Sequence, residues 1–128
     1  MTAGEIIAQV DELNPNDVTE ARKLAWMLYL EKQLLDEVLM THVLTDAEQQ
    51  RADDIAALEE VDTDYVMLVQ PPYSDLYRHY LDMQICLANV DNESYENAQT
   101  LYNNALLTYK NWFNRTHRAK VAGERWRF

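Results

Sequence analysis

The sequence predicts an all-α domain, a bundle of about four helices with one short extended segment. Three observations point that way. Glycine occurs twice and proline three times in 128 residues, too few turn formers for a fold of many strands. Apolar residues recur at steps of three and four, the period of a helix face, and only residues 65–69 read as a short β-compatible run. A chain of this length holds one core.

The elements follow in order. Thr2-Ala-Gly-Glu5 has the spacing of a capping box, and Ile6, Val10 and Leu13 follow on one face, which makes a short first helix. Asn14-Pro15-Asn16 should end it, because proline disfavours helical geometry in the residue before it. Asp17-Val-Thr-Glu20 repeats the box spacing and opens a second helix running to about Thr41, with Leu24, Leu28, Leu35 and Leu39 at helical steps. Trp26, Met27, Tyr29 and Leu30 widen its apolar surface, so more than one neighbour should pack on it.

Residues 45–64 hold eight carboxylates against Arg51 alone. Ala52, Ile55, Ala56 and Leu58 support a short helix there, while the thin apolar content equally supports a mobile excursion. Asp62-Thr-Asp64 lacks the glycine and distal glutamate of a calcium loop. Tyr65–Val69 reads as extended, and Gln70-Pro71-Pro72 stops it, with Pro72 suited to the first turn of the next helix. That helix carries Leu76, Tyr77, Tyr80, Met83 and Leu87. Asp91-Asn92 interrupts it and supplies a new cap. The last helix shows a heptad run, Tyr95, Ala98, Tyr102, Ala105, Tyr109 and Trp112, in which large rings alternate with alanines as interdigitating helices require.

Tyrosines so placed read as core. A stacking platform for bases would interleave them with Lys and Arg, and between Tyr73 and Tyr109 only Arg78 is basic. Charge argues the same way. Up to Tyr109 the chain carries 21 acids and 5 bases, whereas residues 110–128 carry 6 bases and one acid. An acidic body repels a phosphate backbone, so sequence-specific nucleic-acid binding is disfavoured. The organisation expected is a single helical domain over 1–118 and a basic, flexible tail over 119–128.

No catalytic, cofactor or metal set emerges. His42, His79 and His117 are far apart; Asp75 and His79 are one turn apart without a further ligand. Cys86 lies among apolar residues, where a thiol is a small buried group. Two glycines cannot build a phosphate loop. There is no apolar run of membrane-spanning length and no signal-peptide pattern at the start, so a cytosolic protein is expected.

Residues 68–120 carry Pro72-Tyr73, Asp75-Leu76-Tyr77 with Tyr80-Leu81, Tyr102-Asn103-Asn104-Ala105 and Phe113-Asn114-Arg115-Thr116-His117. In these motifs, and in the long helix after Asn14-Pro15, the chain resembles small helical head-tail connector, or adaptor, proteins of tailed phages and prophages of Gram-positive bacteria. The resemblance implies a structural protein without catalytic residues. It would assemble as a ring below the portal, completing the head and docking the tail, and would be compatible with a monomer in isolation. Its partners would be the portal protein and a tail-completion protein, its place the virion head-tail junction, and before assembly the host cytoplasm.

A closed ring needs two different patches on each copy. Trp26, Tyr29 and Leu30 are one candidate; the basic end, with Arg118, Lys120, Arg125, Trp126, Arg127 and Phe128, is the other. Asp53, Asp54, Glu59 and Glu60 are candidates for lining a channel through which DNA passes without sticking. The alternative reading is an acidic protein-interaction module, a phage-encoded regulator or DNA mimic that occupies a host protein's basic groove.

Overall fold

The computed structural model describes residues 1–120. Five α-helices account for most of them: α1 (Ala3–Leu13), α2 (Glu20–Glu37), α3 (Asp46–Ala57), α4 (Asp75–Ala88) and α5 (Asn92–Thr116). The fold is all-α, and the described residues hold only two isolated antiparallel bridges, Thr2 with Val66 and His42 with Ala119.

The helix beyond the expected four is α3. Thr45 accepts a hydrogen bond from the Glu48 amide while the Glu48 carboxylate accepts from the Thr45 amide, so residues 46–57 of the acidic stretch form a helix opened by a full capping box, and 58–64 follow it without regular structure. Ala52 and Ile55 then bury its inner edge. Two boundaries also move. The cap of α2 is Thr19, which accepts from Arg22 N, in place of Asp17. The helix ends at Glu37 and a 3-10 turn, Leu39–Thr41, carries the chain onward.

α1 starts against the extended segment. Ala3 N and Gly4 N donate to the carbonyls of Tyr65 and Thr63, and Met67 N donates to Met1 O, which satisfies first-turn amides that a helix leaves open. Gly4 is required by this approach, since a Cβ there would lie 3.0 Å from both the Cβ and the carbonyl oxygen of Thr63. The run Tyr65–Val69, expected to be extended throughout, holds one isolated bridge at Val66 and bends at Leu68 and Val69, whose amides bond to the Glu31 and Tyr77 side chains.

α4 and α5 form an antiparallel hairpin. Asp91 N reaches back to Cys86 O and Val90 N to Leu87 O, the paired bonds of a Schellman ending, whose left-handed residue is usually glycine. Here it is Val90, at φ 56°. Asp91 caps α5 through Ser94 N. Across the hairpin, Tyr80 meets Tyr102 at 5.3 Å between ring centres and Tyr73 meets Trp112 at 5.2 Å. Tyr77, Tyr80, Tyr102 and Tyr109 are all buried, which places the tyrosine ladder in the core. Ala98 is buried among them, the small residue that lets the helices close.

The end of α5 is fastened too. Val43 N donates to Arg118 O and Lys120 N to Thr41 O. Ala119 and Lys120 therefore belong to the folded body, which extends two residues past the boundary expected at 118.

Candidate functional site

Stepping about 100° per residue along a helix separates neighbours onto different faces. Trp26, Tyr29 and Leu30 illustrate it. Tyr29 is 65 % exposed and Trp26 half-buried, but Leu30, only 1 % exposed, points inward with Met27 and Leu34. Leu30 is removed from the candidate patch for that reason: it belongs to the stripe that packs the core.

Of the basic end, Arg118 is exposed and its carbonyl is held by Val43; Lys120 is half-buried beside Thr41. Arg125, Trp126, Arg127 and Phe128 lie outside the described residues. The four candidate channel carboxylates are exposed but divided between two places. Asp53 and Asp54 sit on α3, each accepting from a glutamine one turn earlier, Gln49 at 3.1 Å and Gln50 at 3.0 Å. Glu59 and Glu60 follow the helix and border a cleft with Leu24, Ala25 and Leu28 of α2.

A groove among the described residues has no counterpart in the sequence pattern. It has a volume of about 560 Å³ and is lined by Pro71, Pro72 and Tyr73 together with Tyr109, Trp112 and Phe113, the Tyr73 and Trp112 rings packing on each other. Leu39, Leu68 and Val69 add apolar surface, and Glu48, Arg51 and Gln70 supply polar groups. The size and the few convergent polar groups are those of a binding cleft. The sequence marks the two prolines as a stop and Pro72 as a first-turn residue, whereas α4 begins only at Asp75; that residues 71–73 and 109–113 converge here is a tertiary fact.

The polar groups at the groove are already oriented. The Glu48 carboxylate accepts from the Thr45 amide and pairs with Nε2 of His117. Burial raises its pKa, but these bonds and the His117 charge outweigh burial and hold it below the usual carboxylate range. His117 lies flat on Phe113, 3.9 Å between ring centres. His42 binds Val38 O and Asn114 Oδ1 with its two ring nitrogens, 2.7 Å each. Arg51 donates to Tyr65 Oη and Val66 O with its guanidinium over the Tyr65 ring. Burial pushes the Tyr109 phenol up, with help from Glu31 and Glu48, so it stays a neutral hydroxyl.

Bonded to the amide of the groove residue Leu68 is a buried carboxylate, Glu31, with 0 % exposure. Tyr65 and Leu68 N bind its Oε2 at 2.8 and 3.0 Å, and Tyr77 binds its Oε1. Burial raises its pKa despite those bonds and the Arg51 charge. Sequence did carry a signal for it: Glu31 falls four after Met27 and three before Leu34, on the inward stripe. Among the described residues, no three His, Cys, Asp or Glu are grouped to hold a metal ion and no helix is long and apolar enough to cross a membrane.

Compared with known proteins, the chain matches no family model, no curated protein and no solved structure.

Proposed function

We propose that this chain is a non-enzymatic structural protein of a tailed phage, a head-tail connector that assembles as a ring below the portal and docks the tail. The observation that carries the reading is the inward placement of the aromatic motif residues on which the resemblance rests. Tyr77, Tyr80, Tyr102 and Phe113 are all buried, so the motifs encode the α4–α5 hairpin and leave the exterior to make contacts. That exterior is acidic: α3 alone presents Asp46, Asp53 and Asp54 to solvent. Repeated around a ring, such a surface would repel passing DNA rather than hold it. Tyr29, a large exposed ring with half-buried Trp26 nearby on α2, suits one side of a contact between copies.

Electron microscopy of the purified chain mixed with the portal protein of the same phage tests this. Closed rings on the portal are the expected result. A small complex of fixed stoichiometry with a host protein, and no rings, would favour the acidic regulator or DNA mimic instead.

A further inference from the structure

The groove holds hydrogen-bond donors that no described residue takes up. We propose that it binds a small aromatic carboxylic acid as its anion, the carboxylate meeting Arg51 and the Tyr109 hydroxyl and the ring packing on Tyr73 and Trp112.

The donor set comes first. Arg51 spends Nη2 on Tyr65 Oη and Val66 O, and its Nε and Nη1 have no partner among the described residues. The same holds for the Trp112 indole N–H and for the hydroxyls of Tyr73 and Tyr109. None of these groups is sealed off, since the one enclosed side-chain atom without a partner among the described residues is Asp82 Oδ1, which belongs to a different cleft. Tyr109 is the sharpest case. Its side chain is only 4 % exposed and lines the groove, yet its hydroxyl is accessible and unbonded. A buried phenol ordinarily has a partner; here it has open space.

The acceptors are already taken. Glu48 gives Oε1 to the Thr45 amide and Oε2 to His117, and Gln70 uses its oxygen on the terminal amine of Met1 and its nitrogen on Met67 O. Glu31 feels the Arg51 charge but bonds Tyr65, Tyr77 and Leu68 instead. A site left with one cation and several neutral donors selects a negatively charged acceptor, and a planar guanidinium matches a planar carboxylate.

The rest of the groove selects the body. Trp112 packs on Tyr73 at 5.2 Å and stacks on Tyr109 at 5.9 Å between ring centres, so a flat ring extends an existing aromatic cluster. A volume of about 560 Å³ is that of a small-molecule site. Asp46, Asp53 and Asp54 stand exposed on the same helix as Arg51 and repel a ligand of high negative charge, which favours a single carboxylate. The inference stands whether or not the chain builds rings.

The test is calorimetric titration of the full-length chain at low salt, with indole-3-acetate and the neutral indole-3-acetamide as probes. The carboxylate is expected to bind at least about tenfold more tightly than the amide. Equal affinity, or no binding of either up to about 5 mM, overturns the proposal. Tyr109→Phe removes only a hydroxyl without a protein partner, so it should melt as wild type does and weaken indole-3-acetate by about threefold or more; unchanged affinity places the carboxylate elsewhere and overturns it. Ala47→Glu, at an exposed groove position, should abolish binding by repulsion, and unchanged binding would overturn the site. Binding of a blocked Glu-Trp peptide with neither indole compound bound would assign the groove to a protein segment and overturn the small-molecule reading.

Discussion

The hydroxyl of Tyr77 donates a 2.5 Å hydrogen bond to Glu31 while accepting one from the amide of Val69, so a single oxygen joins α2, α4 and the extended segment. Tyr77→Phe keeps the ring and removes both bonds, leaving a buried amide and a buried carboxylate oxygen short of a partner. The expected cost is about 1–3 kcal/mol in urea unfolding.

Glu31 also sets a pH dependence. Its folded pKa is raised above 4.5 by burial, so the folded state holds the proton more tightly than the unfolded chain. The stability this adds is complete below pH 4.5 and is lost as pH rises through the raised value. Glu31→Gln should remove that component, and the wild-type stability measured at pH 5 minus that at pH 8 should exceed the same difference in the variant.

Glu48 carries the opposite sign. Its folded pKa lies below 4.5, with burial outweighed by the Thr45 amide and His117, so its contribution is present above pH 4.5 and lost as pH falls through the lowered value. Calorimetric melting of Glu48→Gln should show a lower midpoint than wild type at neutral pH, and the gap should close in acid.

Tyr29 and Leu30 are sequence neighbours with opposite fates. Tyr29→Ala should change stability by no more than about 0.5 kcal/mol, whereas Leu30→Ala should cost about 2–5 kcal/mol. If Tyr29 forms a contact between copies, its alanine variant folds normally and forms fewer rings with portal, read from the same micrographs.

Val90 sits where a left-handed backbone is needed, 79 % exposed and touching little. Val90→Gly relieves that strain and should stabilise the chain by about 1 kcal/mol, the gain partly offset by the freer unfolded glycine. A melting midpoint unchanged or lowered would contradict it.

The parts legible in the sequence are those where periodicity runs long. Leu76, Tyr77, Tyr80 and Met83, then Ala98, Tyr102 and Tyr109, lie at helical steps and are buried as those steps require. Residues 45–57 were ambiguous because apolar content was weighed and the cap was not: Thr45-Asp-Ala-Glu48 is the signature that decides the helix. Asp17 has the capping-box spacing to Glu20, but the bond from Arg22 N goes to the Thr19 hydroxyl, and that tertiary choice is not visible in the spacing. The groove was illegible for a different reason. Its walls come from residues 71–73 and 109–113, and no local pattern states that two distant aromatic groups stop short of touching everywhere and leave a space. Glu31 combines both cases: its stripe position is visible, but its donors lie 34, 37 and 46 positions away.

The strap from Tyr65 to Val69 is bonded to α1 through Ala3 and Met1, to α2 through Glu31, to α3 through Arg51 and to α4 through Tyr77. It acts as the knot of the bundle. No helix touching it can peel away without loosening the other three, so the amides of Leu68 and Val69 should exchange hydrogen only when the whole molecule opens. A protease nick in that strap would dismantle the chain at once instead of trimming it by stages.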